Sequence, residues 1–216
     1  MLTLYEQLLL LSIHEDKGIF IGSYAEGFKP GVVGAILAEL TLSGKIRTTK
    51  NSKLELVDGT PTEDPILDGV LEALRKSEKQ RKFGYWINTL FIKPEKLRKQ
   101  IVNSLVQKGI LSQEDDHLQW VIPSAIELEV KASAKYDLIK RLRGVVIARE
   151  EPQLRDIALL SLVSASGWLD LVFLRDERKL ASRNINELVV GQAMNDPIIE
   201  TIQEIGAAIS AEVEED

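Results

Sequence analysis

Two histidines, His14 and His117, are the side chains of this 216-residue chain best suited to moving protons near neutral pH. His14 falls at a helix end beside Glu15 and Asp16, where the helix dipole favours a cation. His117 falls in a hairpin turn. Neither stands at a metal-ligand spacing, so both read as structural or surface residues. The sequence has no Cys, which removes thiol nucleophiles, thiolate zinc sites and disulfides. Phosphate-loop, dinucleotide, nucleophile-elbow and zinc signatures are all missing. Gly18, Gly22, Gly27 and Gly31 are wrongly spaced for a phosphate cradle between strand and helix. The acid pairs Asp115-Asp116 and Glu150-Glu151 lie in polar connectors, where solvation explains them. No cofactor, metal or catalytic group is called for, and a binding protein is expected.

The chemistry that spacing does offer is anion binding. Lys96, Arg98 and Lys99 follow Pro94 within the first turns of a helix, where free N–H groups and the dipole attract negative charge. From Leu71 to Lys108 ten Lys and Arg face three acids, whereas Glu187 to Asp216 holds eight acids and no Lys or Arg. This lopsided charge reads either as solvated helix faces or as a surface for nucleic acid, phosphate or anionic lipid. The net charge of −6 and the acidic tail weigh against nucleic acid.

Periodicity then supplies the elements that would hold these cations. Thr3 and Glu6 have capping-box spacing ahead of a buried helix reaching about Ile13. Residues 14–29 read as a glycine-rich loop anchored by Phe20, Tyr24 and Phe28, with Pro30 opening the second helix up to Gly44. A hairpin follows around Lys50, Asn51 and Ser52. Asp64-Pro65 starts a helix running to about Lys79. After a basic turn at Lys79 to Lys82, Tyr85, Trp86, Ile87 and Leu90 form another apolar stretch. The Pro94 helix turns Leu97, Ile101, Leu105 and Val106 inward and stops at Lys108-Gly109. A second hairpin brings Leu118, Trp120, Val121 and Ile122 close together, suited to a membrane interface, ordinary packing or a dimer contact. From Lys131 onward helices dominate: about Lys131 to Ala148, Leu154 to Ser164, and two after Trp168. Gly191, Asn195 and Pro197 separate that last pair, and the final helix ends in the acidic residues of about 210–216.

The stretches ending at Gly44 and Gly109 repeat one scheme, a helix closed by Gly and followed by a hairpin. The expectation is a mainly α, single globular helical domain over residues 1–216, with short β-hairpins after the second and fifth helices. Two helix–hairpin units also describe tandem winged-helix modules that bind nucleic acid or a protein partner. No apolar run nears the roughly 18 residues of a membrane span, and MLTLYEQ lacks the basic opening of a signal peptide. A cytoplasmic protein is expected.

Several segments, in order, resemble the Golgi phosphoprotein 3 (GPP34) family. LTLYEQLLLLSI is similar to that family's LTLxEExLLL opening, and GAILAELTLSGKI (Gly34 to Ile46) to its helix before the first hairpin. PTEDPILDGVLEAL (Pro61 to Leu74) is similar to its PTGDxLLDExL motif. Trp86-Ile87 stands where the family has a Trp-Ile pair, and LVQKGIL (Leu105 to Leu111) resembles LVEKGxL. DLIKRLRGVVI and LRDIALLSLVSASG resemble its later helices. The resemblance implies a peripheral membrane adaptor that binds phosphatidylinositol 4-phosphate and dips a hydrophobic hairpin into the bilayer. It places the family's pocket Trp at Tyr24 and its first Arg at Val33. The other two Arg positions fall on Glu95 and Arg98, with Lys96 adjacent to the first of these. The implied lipid-phosphate site is therefore Tyr24, Lys96, Arg98 and Lys99, and the implied membrane or dimer hairpin is Leu118, Trp120 and Val121. Protein cargo tails and a second copy of the chain are further implied partners. The cytosolic face of the Golgi is the expected location in a eukaryote, and the departures at Val33 and Glu95 suit a divergent, prokaryotic form.

Overall fold

Thr3 begins the first helix, α1 (Leu4–Leu11), with a complete capping box. Its hydroxyl accepts the Glu6 N–H at 3.3 Å, and the Glu6 carboxylate accepts the Thr3 N–H at 2.8 Å. Every residue of α1 is buried, so its stability comes from packing on all sides rather than from an amphipathic face. In this computed structural model, residues 1–13, 25–91, 93–113, 128–130 and 132–215 are described. His14, His117, Tyr24, Leu118, Trp120, Val121 and Ile122 lie outside them.

The remaining helices are α2 (Ala25–Leu42), α3 (Pro65–Lys76), α4 (Phe83–Thr89), α5 (Pro94–Gln107), α6 (Ala132–Ile147), α7 (Leu154–Ala165), α8 (Arg178–Ala193) and α9 (Pro197–Glu215). After α2, strands β1 (Ile46–Thr48) and β2 (Leu54–Leu56) form an antiparallel hairpin in the register Ile46 to Leu56. After α5, β3 (Leu111–Gln113) pairs antiparallel with β4 (Leu128–Val130). The architecture is thus the expected one: a single, mainly helical domain around one core.

The repeat foreseen at the two glycines is structural. Gly44 and Gly109 take φ of 70° and 65°, the left-handed region that a side chain resists. Their N–H groups bond the Thr41 and Val106 carbonyls, and the next N–H in each case reaches Leu40 or Leu105. Both helices therefore end in the same glycine-closed turn, which aims the chain into a hairpin.

Three boundaries differ from expectation. Helix α2 starts at Ala25 and takes in Pro30, which was expected to open it. A proline there forfeits one main-chain bond, and tertiary packing outweighs the loss. Phe28 is buried, and Gly27 lies so close to the turn after α7 that an added Cβ would sit 2.8 Å from the Ser166 carbonyl and 2.9 Å from Trp168 Nε1. Gly27→Ala is accordingly expected to lower unfolding free energy by about 1–3 kcal/mol in urea titrations, despite alanine's better helix propensity. Helix α3 stops at Lys76, short of Lys79, and Gly191 sits inside α8 rather than after it. In α5 the inward position next to Ile101 is Val102, while Val106 is only partly buried.

Helix α9 packs against α2, α4, α7 and α8 and passes beside β1, tying both ends of the chain to one core. Ile199, Ile202, Ile205 and Ile209 are fully buried along it. Its acidic end stays helical through Glu215.

Candidate functional site

The buried Glu6 and the half-buried Asp64, Glu39 and Asp68 are engaged in holding segments together. Glu6 is fully buried, and its two oxygens lie 2.6 and 2.8 Å from Lys108 Nζ, with a third bond of 2.7 Å from the Ser104 hydroxyl. Burial alone would raise its pKa. The bonds from Lys108, Ser104 and the Thr3 N–H outweigh that and hold it below the ordinary carboxylate value. Asp64 caps α3 by accepting the Ile66 and Leu67 N–H groups, and its second oxygen takes the Tyr5 hydroxyl. The Tyr5 phenol is pushed well upward, first by burial and then by that bond. Glu39 meets Arg155 through two contacts of 2.9 Å and also accepts the Leu4 N–H at 2.7 Å. Thr62 closes the start of α3 on Asp68, through its N–H at 2.6 Å and its hydroxyl at 2.7 Å. Among the described residues no group of three or more His, Cys, Asp or Glu is placed to hold a metal ion. No described helix is long and apolar enough to cross a membrane.

The cations behave differently. Arg98, on the second turn of α5, leans over the ring of Phe28 with Cζ 4.6 Å from the ring centre. That cation–π contact carries a positive charge to the first turn of α2, the element Tyr24 immediately precedes. Burial holds the Arg98 pKa below the usual guanidinium value, partly offset by Glu95 one turn earlier. The group stays charged at neutral pH. Lys29, next to Phe28, donates from Nζ to the Asn88 carbonyl at 2.6 Å and so ties α2 to the end of α4. Trp168 is buried on the other side of this turn, against Gly27. The N-terminal turn of α2, the early turns of α5, the end of α4 and the turn after α7 therefore meet.

Lys96 and Lys99 are exposed. At about 100° per residue, Lys99 lies a quarter-turn from Arg98 and Lys96 nearly opposite it on α5. Arg98 alone of the three is seated against α2, with Lys99 on the adjoining solvent face. Val33 is fully buried in α2, and Glu95 is exposed. Helix α5 opens with Pro94, and no side chain caps it. Sequence reading missed Phe28 as the platform for Arg98 and Trp168 as the neighbour of Gly27. The available signal was the Gly27–Gly31 spacing, which puts two side-chain-free positions on one face of a helix ahead of a packed turn.

Sequence comparison matches residues 4–205 to the family described as Golgi phosphoprotein 3 (GPP34). The chain belongs to this family. A curated relative is similar at a lower level: vacuolar protein sorting-associated protein 74 of Eremothecium gossypii, 25% identical over 168 residues. That alignment covers 68% of this chain and 50% of the relative, so the matched part spans about half the relative's length. In this GPP34 protein the segments that resemble the family's motifs are knotted to one another. In the opening segment Thr3 caps Glu6, Tyr5 reaches Asp64 of PTEDPILD, and Glu6 meets Lys108 of LVQKGIL. GAILAELTLSGKI supplies Glu39, which joins the opening helix to Arg155 of LRDIALL. These motif residues hold the fold; Arg98 is the charged residue set against the α2 entrance.

Proposed function

We propose that this GPP34 protein is a peripheral membrane adaptor, one domain over residues 1–216, that takes an anionic lipid headgroup where α2 and α5 begin. Phosphatidylinositol 4-phosphate is the headgroup in the family's manner. The observation that carries the reading is the Arg98 guanidinium held over Phe28 at the first turn of α2. A phosphomonoester with nearly two charges gains there from Arg98, from the nearby Lys99 and from the uncapped start of α5. Tyr24 completes the proposed site, and Lys96, nearly opposite Arg98 on α5, adds only to the general positive field around it. Leu118, Trp120 and Val121 would supply the bilayer contact, since Trp favours the interface. The protein would work on the cytosolic face of membranes, the Golgi in a eukaryote, with protein tails and a second copy as partners.

Helix α2 is buried along almost its whole described length, so the first helix–hairpin unit offers no free helix face to a nucleic-acid groove. A gel shift at low salt is expected to show no complex. Flotation with vesicles is the decisive assay. At matched surface charge, recovery should fall from phosphatidylinositol 4-phosphate vesicles to phosphatidylserine vesicles, and no protein should float with phosphatidylcholine alone. Equal recovery on the two charged surfaces would reduce the site to unspecific attraction, and no recovery on either would end the proposal.

A further inference from the structure

Away from the α2 entrance, a groove of about 370 Å³ runs between β2 and the stretch after α3. Leu54 and Leu56 line one wall, Leu74 and Trp86 are buried beneath, and Arg75 and Lys79 stand on the opposite lip. Its chemistry follows from the hairpin's register. Thr49 N–H bonds the Lys53 carbonyl and Val57 N–H bonds the Lys45 carbonyl, so odd-numbered residues of β2 face β1 and the main-chain groups of Leu54 and Leu56 face outward. Leu54 uses its outward N–H on the Arg81 carbonyl, beside an antiparallel bridge between Lys53 and Lys82. Past that bridge the chain peels away, and Leu56 is left with outward N–H and C=O groups that pair with no described main-chain group. The ladder opens into the groove.

Two more observations describe the occupant. The Trp86 indole N–H is buried and has no hydrogen-bond partner among the described residues, although the ring lines the groove. A carbonyl brought into the groove would satisfy it. The lip carries Arg75 and Lys79, and Arg81 and Lys82 follow just beyond it at the bridge to Lys53. Of the acids nearby Glu78 is exposed, whereas Glu55 is held by Arg47 at 2.6 Å, Glu72 by Lys76 at 2.6 Å and Asp68 by Thr62, so positive charge prevails. Arg81 is steadied on the Tyr85 ring at 4.9 Å. An open strand edge gives main-chain pairing, apolar walls take alternate side chains, and basic lips select the charge of the others.

We infer that this groove receives an extended segment of a partner protein, acidic and apolar in alternation, which adds as a strand beside Leu56. The inference stands apart from the lipid site and survives its failure. The test uses the full chain and four fluorescent probes: the peptide Glu-Val-Glu-Val-Glu-Val, its Lys-Val counterpart, and the first peptide N-methylated on alternate residues in one register and in the other. Anisotropy should show the acidic peptide binding about tenfold or more tighter than the basic one. One N-methylated register should lose that affinity while the other keeps it. In ¹⁵N spectra the Leu56 amide and Trp86 indole should shift, and the Leu56 amide should exchange more slowly. Arg75→Glu with Lys79→Glu should abolish the preference for acid. Equal binding of both N-methylated registers, equal binding of both charges, no binding of the acidic peptide, or shifts at Leu56 and Trp86 caused by anionic vesicles instead would each overturn it.

Discussion

Lys108→Met should lower the unfolding free energy by about 2–4 kcal/mol at neutral pH, because it leaves the Glu6 carboxylate buried without its cation. The lysine is 40% exposed but its partner is 0% exposed, so the cost falls on the carboxylate. Glu6→Gln in the same background removes the stranded charge and should recover a large part of the loss. The pH profile gives a sharper test. In the native chain Glu6 has a folded pKa below its unfolded value. Its contribution is therefore present above the unfolded pKa of about 4.3 and lost as pH falls through the folded value. In Lys108→Met burial is left dominant and the folded pKa rises above the unfolded one. That variant should then gain stability on mild acidification from neutral pH, where the native chain gains none from this group. Urea titrations across the acid range read both limbs.

Arg98→Glu is expected to weaken binding to phosphatidylinositol 4-phosphate vesicles by about 30-fold. The estimate takes about 1 kcal/mol for each cation at an anionic surface and doubles it for reversal. Arg98→Lys keeps the charge but gives up the flat guanidinium over Phe28, so it should lose only a small part. Arg98→Met is the folding control: it retains an apolar stem on Phe28, and its thermal transition should stay near the native one while vesicle binding falls. Lys96→Glu, on the far face of α5, should act only through the general field and should lose its effect in high salt. An Arg98→Glu protein that floats like the native chain would remove Arg98 from the site.

The sequence disclosed most of the frame because its signals are local. Thr3 with Glu6, Asp64 with Pro65, and the glycines at 44 and 109 each act within a few residues, and each element formed as expected. The start of α2 was not legible, because Pro30 and the glycines around it signal a break, and only the distant Ser166–Trp168 turn explains a helix there. The candidate site divides in the same way. Spacing alone found the Lys96–Lys99 cluster, yet it could not say which cation turns inward. That depends on Phe28, a contact across about seventy positions of sequence whose only local trace is one more aromatic residue. The family's motifs were legible as sequence, and the fold explains their charges: Glu6, Asp64 and Lys108 spend them on each other's segments.

The claim on which the functional account rests is that an anionic headgroup sits where α2 and α5 begin. Titration of the ¹⁵N-labelled protein with a short-chain, water-soluble phosphatidylinositol 4-phosphate tests it most directly. The account expects saturable shifts at the amides of Phe28, Lys29, Arg98 and Lys99, absent in Arg98→Glu. Saturable shifts confined to α6, α8 or the Leu54–Leu56 strand, with the α2 and α5 amides unmoved, would contradict it.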